Sequence, residues 1–154
     1  MVGELSTQFK KYIKYAEEEG IVVVTAAGNH VGTLILTRLS ASHGLTVQQG
    51  GQIDRYPAAL GNDPELSLIV VGSHDRDGEA ADYSQTGDAL SLYALGEGGT
   101  CASSAGGYLD GYSGTSYGEL DMINSSFFTN LKMISLSCSS SGRACWIFDV
   151  VALN

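Results

Sequence analysis

The stretch Ile21-Val22-Val23-Val24-Thr25-Ala26-Ala27-Gly28-Asn29 decides the fold. Five residues that favour strands, apolar on both faces, suit an interior strand of a parallel sheet rather than a half-exposed one. Small residues and an amide side chain follow at once, so the strand empties into a tight loop. Upstream, Leu5, Phe9, Tyr12, Ile13 and Ala16 recur at helical spacing, with Lys10, Lys11, Lys14, Glu17 and Glu18 around the remainder. Gly20 stands where a left-handed residue ends a helix. Helix, glycine, buried strand and a loop at the strand's C-terminal end is α/β logic, in which sites gather at that end.

Downstream, Leu68-Ile69-Val70-Val71-Gly72 reads as a second interior strand, and Ala89 to Gly96 alternates enough for a third. Then comes Gly111-Tyr112-Ser113-Gly114-Thr115-Ser116-Tyr117-Gly118. Glycines let backbone approach a substrate, and a hydroxyl at the start of a helix sits beside free N–H groups. An exposed amide such as Asn29 is suited to donate to a developing oxyanion.

With Asn29, Tyr56-Pro57-Ala58, Gly72, Tyr83-Ser84 and Gly114-Thr115-Ser116 in this order, the chain resembles the C-terminal half of a subtilisin-like serine peptidase, a subtilase, over about residues 4–118. The resemblance implies a partial three-layer α/β fold with a parallel sheet whose early strands are missing. It implies Ser116 as nucleophile and Asn29 as oxyanion-hole amide. Ala26, Ala27 and Gly28 match one wall of the specificity pocket, and Gly114 and Thr115 are further substrate-binding positions. The substrate implied is a peptide or protein, and neither metal nor cofactor is implied. Subtilases use an Asp-His-Ser triad, with Asp and His well before the amide loop. No histidine precedes Asn29 here, so the chain is expected to be inactive alone. The other readings are a non-catalytic remnant that binds peptides or a partner, and a generic α/β binding domain.

The histidines present do not fill the gap. His30 and His43 read as solvated loop residues, and His74 beside Asp75 as a surface turn, because a catalytic pair needs converging elements rather than sequence neighbours. Glu97 to Gly111 reads as a Gly/Ser-rich connection, and Gly96-Glu97-Gly98-Gly99 at its start departs from a dinucleotide fingerprint. Relatives have Pro and often Asp where this chain has Leu95 and Ser91, which leaves a calcium ligand carried there unsupported. Residues 30–55 are longer than the family's connection, and Leu34, Ile35, Leu36 and Leu39 within them suit a short apolar element. After Gly118 the resemblance stops: Leu120, Ile123, Phe127, Leu131 and Ile134 keep the spacing of an amphipathic helix, but Glu119 and Asp121 would sit near a packed core, where an unpaired charge is costly. Residues 119–154 form a non-matching tail, for which a shifted reading frame or unspliced sequence is the expected origin.

Composition agrees with one folded domain. The 154 residues are 44% hydrophobic and 16% charged, enough for one core. A net charge of −9 without basic clusters excludes nucleic acid as an expected partner. No apolar run reaches membrane-spanning length. Residues 1–6 do not form a signal peptide, although subtilases are often secreted, so localisation stays open. Cys101, Cys138 and Cys145 match no metal or redox spacing. A sheet without its early strands is expected to expose an edge and to self-associate through it.

Overall fold

The computed structural model describes residues 2–30, 51–103, 105–124, 132–138 and 145–150. The short apolar element expected near Leu34–Leu39, and His43, lie outside the described residues.

Helix α1 (Val2–Glu18) forms where the apolar stripe predicts it. It buries Ile13 and Ala16, and Phe9 packs partly against the same core. Gly20 ends it at φ +69°. Its polar flank is tied to the turn before the second strand: Lys10 pairs with Asp63, Lys14 Nζ donates to Glu65 Oε2 at 2.9 Å, and Ser67 Oγ donates to Glu17 Oε1 at 2.6 Å. Such solvent-exposed ion pairs contribute little to stability. They set the helix's azimuth, while burial of Ile13 and Ala16 holds it down.

Strand β1 (Ile21–Ala26) is flanked by β2 (Leu68–His74), and β2 in turn by β3 (Leu92–Leu95), all parallel. The strictly apolar runs alternate between two cores. Val23, Leu68 and Val70 turn to the face covered by α1, Ala58 and Leu60. Val24 and Val71 turn to the other face, where Ala94, Met122 and Ile123 meet them. Both faces of β1 and β2 are therefore buried, which is why their sequences show no polar alternation. The third layer is helix α2 (Thr115–Asn124).

Gly118 sets how closely α2 approaches. A Cβ there would lie 2.9 Å from the Gly72 carbonyl oxygen and 3.0 Å from that of Ala94. Only a residue without a side chain lets the helix rest directly on the backbones of β2 and β3, and this brings the start of α2 to the C-terminal ends of the strands.

Four expectations change. The stretch from Glu97 to Gly111, read as plain connection, contains an antiparallel hairpin of β4 (Gly99–Ala102) and β5 (Tyr108–Tyr112). Its strand residues are short and interrupted by glycines, so period alone does not reveal them. The third strand is only Leu92–Leu95, because Ala89 is buried in the turn that precedes it and Ser91 Oγ accepts from Val70 N–H. The apolar spacing Leu120, Ile123, Phe127, Leu131 and Ile134 does not make one helix: α2 ends at Asn124, and Lys132–Cys138 is a strand, β6. Finally, β1 is not an open edge. Strand β6 runs parallel to it, with Ile21 opposite Lys132 and Val24 opposite Ser135, and β7 (Cys145–Val150) adds antiparallel outside β6. The five-stranded order is β3-β2-β1-β6-β7. Helix α2 thus crosses the boundary expected at residue 118. Glu119, expected to be costly near a packed core if unpaired, is 0% exposed and is not without a partner.

Candidate active site

The loop after β1 and the start of α2 meet at the C-terminal ends of the parallel strands. Thr115 is the first residue of α2 and Ser116 the second. Thr115 N–H donates to Asn29 Oδ1 at 2.8 Å, and Thr115 Oγ1 donates to the same oxygen at 2.8 Å. The hydroxyl in turn accepts from Gly28 N–H at 3.2 Å. These bonds span 86 or 87 residues of sequence and close a small ring between loop and helix.

The ring has a directional consequence. With Oδ1 held by two donors, the carboxamide of Asn29 has one orientation, and its Nδ2 points away from Thr115. Nδ2 lies 3.3 Å from where a Cβ on Gly114 would stand, so a glycine there keeps the amide face clear. Asn29 itself is exposed and Ser116 half-buried. The first N–H groups of a helix have no intrahelical partner and carry roughly half a positive charge. Here the N–H of Thr115 is spent on Asn29 and that of Tyr117 on the Gly114 carbonyl, at 3.0 Å. The N–H of Ser116 lies between the two.

The other anticipated residues fall around this centre. Gly28 carries φ +116°, and its carbonyl accepts from Gln85 N–H at 2.9 Å. Ala27 N–H donates to the Val71 carbonyl, so Ala26 and Ala27 continue β1 into the loop, with Ala27 buried. Gly114 N–H donates to the Gly96 carbonyl at 2.9 Å. Thr115, expected on the substrate surface, is 1% exposed, with its hydroxyl both donating and accepting. What it does here is orient Asn29. That role was invisible in sequence, because it depends on a partner 86 residues away.

Of the histidines, His74 ends β2, with Nδ1 2.6 Å from the Asp75 carbonyl oxygen, and Asp75 Oδ1 caps the N–H groups of Asp77 and Glu79. That is the expected surface turn. His30 follows Asn29, with a buried Nδ1 that has no partner. Among the described residues no hydrogen bond joins a histidine to Ser116.

Tyr117 turns toward the hairpin, where its ring would collide with any side chain at Gly99. Its hydroxyl is pushed up to about 12 by burial first, then by the hydrogen bond with Cys101 and the nearby Cys101 and Tyr112 charges. The folded chain therefore keeps a proton that the unfolded chain releases near pH 10. That contribution to stability is intact below about pH 10 and is lost as pH rises toward about 12. The difference in urea midpoint between pH 9 and pH 11.5 should shrink in Tyr117→Phe; an unchanged difference would show that Tyr117 does not carry the effect.

The fold and site define an α/β domain in which an amide is oriented by the first residue of a helix that carries a serine at its second position. The chain belongs to the subtilase family, whose model matches residues 2–118. Among solved structures it is similar to the prenylagaramide maturation protease PagA, at 25% identity and a TM-score of 0.53, covering 73% of this chain and 33% of PagA. The self-cleaved protease domain of PatA matches at 25% identity and a TM-score of 0.49, covering 70% of this chain and 32% of PatA. The chain thus spans about a third of the length of these structures. No curated protein matches it.

Proposed function

We propose that residues 26–29 and 114–116 are the nucleophile and oxyanion half of a subtilase peptidase site, with Ser116 as attacking group and Asn29 Nδ2 as oxyanion donor. The observation that carries this is the ring among Gly28, Asn29 and Thr115. It holds the Asn29 amide against Thr115, the residue before Ser116, ahead of any substrate, and such preorganisation is what makes an oxyanion donor effective. Ala26, Ala27, Gly28 and Gly114 border the space in which a peptide backbone would lie. Among the described residues no histidine is hydrogen-bonded to Ser116, and on this reading the chain by itself is expected not to turn over peptides.

An external base tests the reading directly. With an activated ester and millimolar imidazole, Ser116 Oγ attacks the acyl carbon, its proton passes to imidazole and the nitrophenolate leaves. The product is a chain acylated at Ser116, identified by peptide mass. Asn29→Ala should slow this acylation about 10²–10³-fold, the range measured for loss of the oxyanion amide in subtilisin, and Ser113→Ala should not. Absence of imidazole-dependent acylation at Ser116 would overturn the nucleophile assignment. Acylation undiminished in Asn29→Ala would overturn the oxyanion assignment.

A further inference from the structure

Gln85 is 2% exposed, and its side chain and backbone together join the Gln52–Asp54 segment to the loop at Gly28. Nε2 donates to the Gln52 carbonyl at 2.8 Å and to Asp54 Oδ1 at 3.3 Å. Its backbone N–H donates to the Gly28 carbonyl at 2.9 Å. Among the described residues Oε1 has no hydrogen-bond partner. It lies so close over Gly28 that a Cβ on that residue would overlap it, and the same Cβ would stand 3.0 Å from Cδ.

A buried carbonyl oxygen without a donor is unfavourable, so its orientation needs a cause. The two acceptors, Gln52 O and Asp54 Oδ1, are that cause: they bind Nε2 and leave Oε1 no direction except onto Gly28. A Cα–H facing an oxygen at this range gives back only a weak interaction. The carboxamide thus acts as a flat plate on one side of a residue at φ +116°. Gly28 is the most permissive residue type in the chain, and it directly precedes Asn29. Unconfined, its backbone would let the Asn29 side chain swing away from Thr115.

We propose that Gln85 is a positioning residue for the Asn29 amide: it confines Gly28 from below while Thr115 fixes the carboxamide from the side. This rests on reading Asn29 as the oxyanion donor, but its principal test does not. In the full chain, the side-chain amide pair of Asn29 is followed by ¹H–¹⁵N spectroscopy, with its order parameter as readout. Gln85→Ala should lower that order parameter and bring the two proton shifts toward exposed-asparagine values. Gln85→Met, which keeps the volume but lacks the anchoring bonds, should do so less. A control of similar stability loss, Ile13→Ala on α1, should leave the pair unchanged. In the imidazole assay, Gln85→Ala should slow Ser116 acylation about 10–100-fold, the scale of a misplaced reacting group.

An Asn29 pair as rigid in Gln85→Ala as in the parent chain would overturn the proposal. So would equal loosening in Ile13→Ala. If Gln85→Ala does not fold, the Gln85→Met spectrum decides, and a parent-like pair there likewise overturns it. Loosening in the Gln85 variants together with full acylation in Asn29→Ala would retain the positioning role and reject the oxyanion reading, so the two fail separately.

Discussion

Incubated with a peptide ester at neutral pH and no added base, the chain should show no hydrolysis that Ser116→Ala abolishes. A serine hydroxyl at pH 7 is a weak nucleophile unless a base takes its proton as it attacks. In subtilisin, removing serine or histidine costs about 10⁶-fold in turnover, and roughly 10³–10⁴-fold over water survives through the oxyanion hole and binding. That remainder requires a cleft on both sides of the substrate, and we propose that this chain contributes only one. Asn29 Nδ2 would be worth about 3–4 kcal/mol to a transition state, but without attack no oxyanion forms for it to stabilise. The measurement is hydrolysis and fluorophosphonate labelling of the chain against Ser116→Ala. Ser116-dependent turnover would remove the claim and turn attention to His30, which follows Asn29 and has an unpartnered Nδ1.

A chain ending at Asn124 should lose cooperative folding and associate. Strand β6 covers β1 along Ile21–Val24, and Val23 and Val24 are 1% and 0% exposed. Without β6, β1 becomes an edge with free N–H and C=O groups, the usual template for self-association. Partial uncovering of two valines costs up to about 3–6 kcal/mol at about 1.5–3 for each full side chain. A domain of this size has only about 5–15 kcal/mol in all. The expected result is a lower urea midpoint, hydrophobic-dye binding and concentration-dependent oligomers relative to residues 1–154. A monomer with the parent midpoint would show that β6 contributes nothing to the sheet. The self-association anticipated from sequence is therefore proposed for the shortened chain, since in the whole one the remaining edges belong to β3 and β7.

Much of this architecture was legible without coordinates, and for a common reason. Val22 to Val24 and Leu68 to Val71 carry a local signal, unbroken apolarity, that only a strand buried on both faces explains. The stripe from Leu5 to Ala16 and the cap at Gly20 are local in the same sense. So is the cluster of small residues around Ser116, from which the family was read and Ser116 proposed as its nucleophile. The hairpin at 99–112 and the break between α2 and β6 were not legible. Short strands interrupted by glycines lack a period, and Leu120 to Ile134 holds a helical spacing that tertiary pairing overrides. The tertiary structure alone decided which groups face Asn29. Thr115 looked like a substrate contact and is a buried clamp, because its hydroxyl meets an oxygen 86 residues away. Gln85 looked like one residue of a turn, yet it lies against Gly28 because Gln52 and Asp54 turn its carboxamide that way. Local periodicity determines which segments are helix or strand, because burial repeats with the chain's own geometry. The direction of a single amide depends on partners that only the closed fold brings within 3 Å.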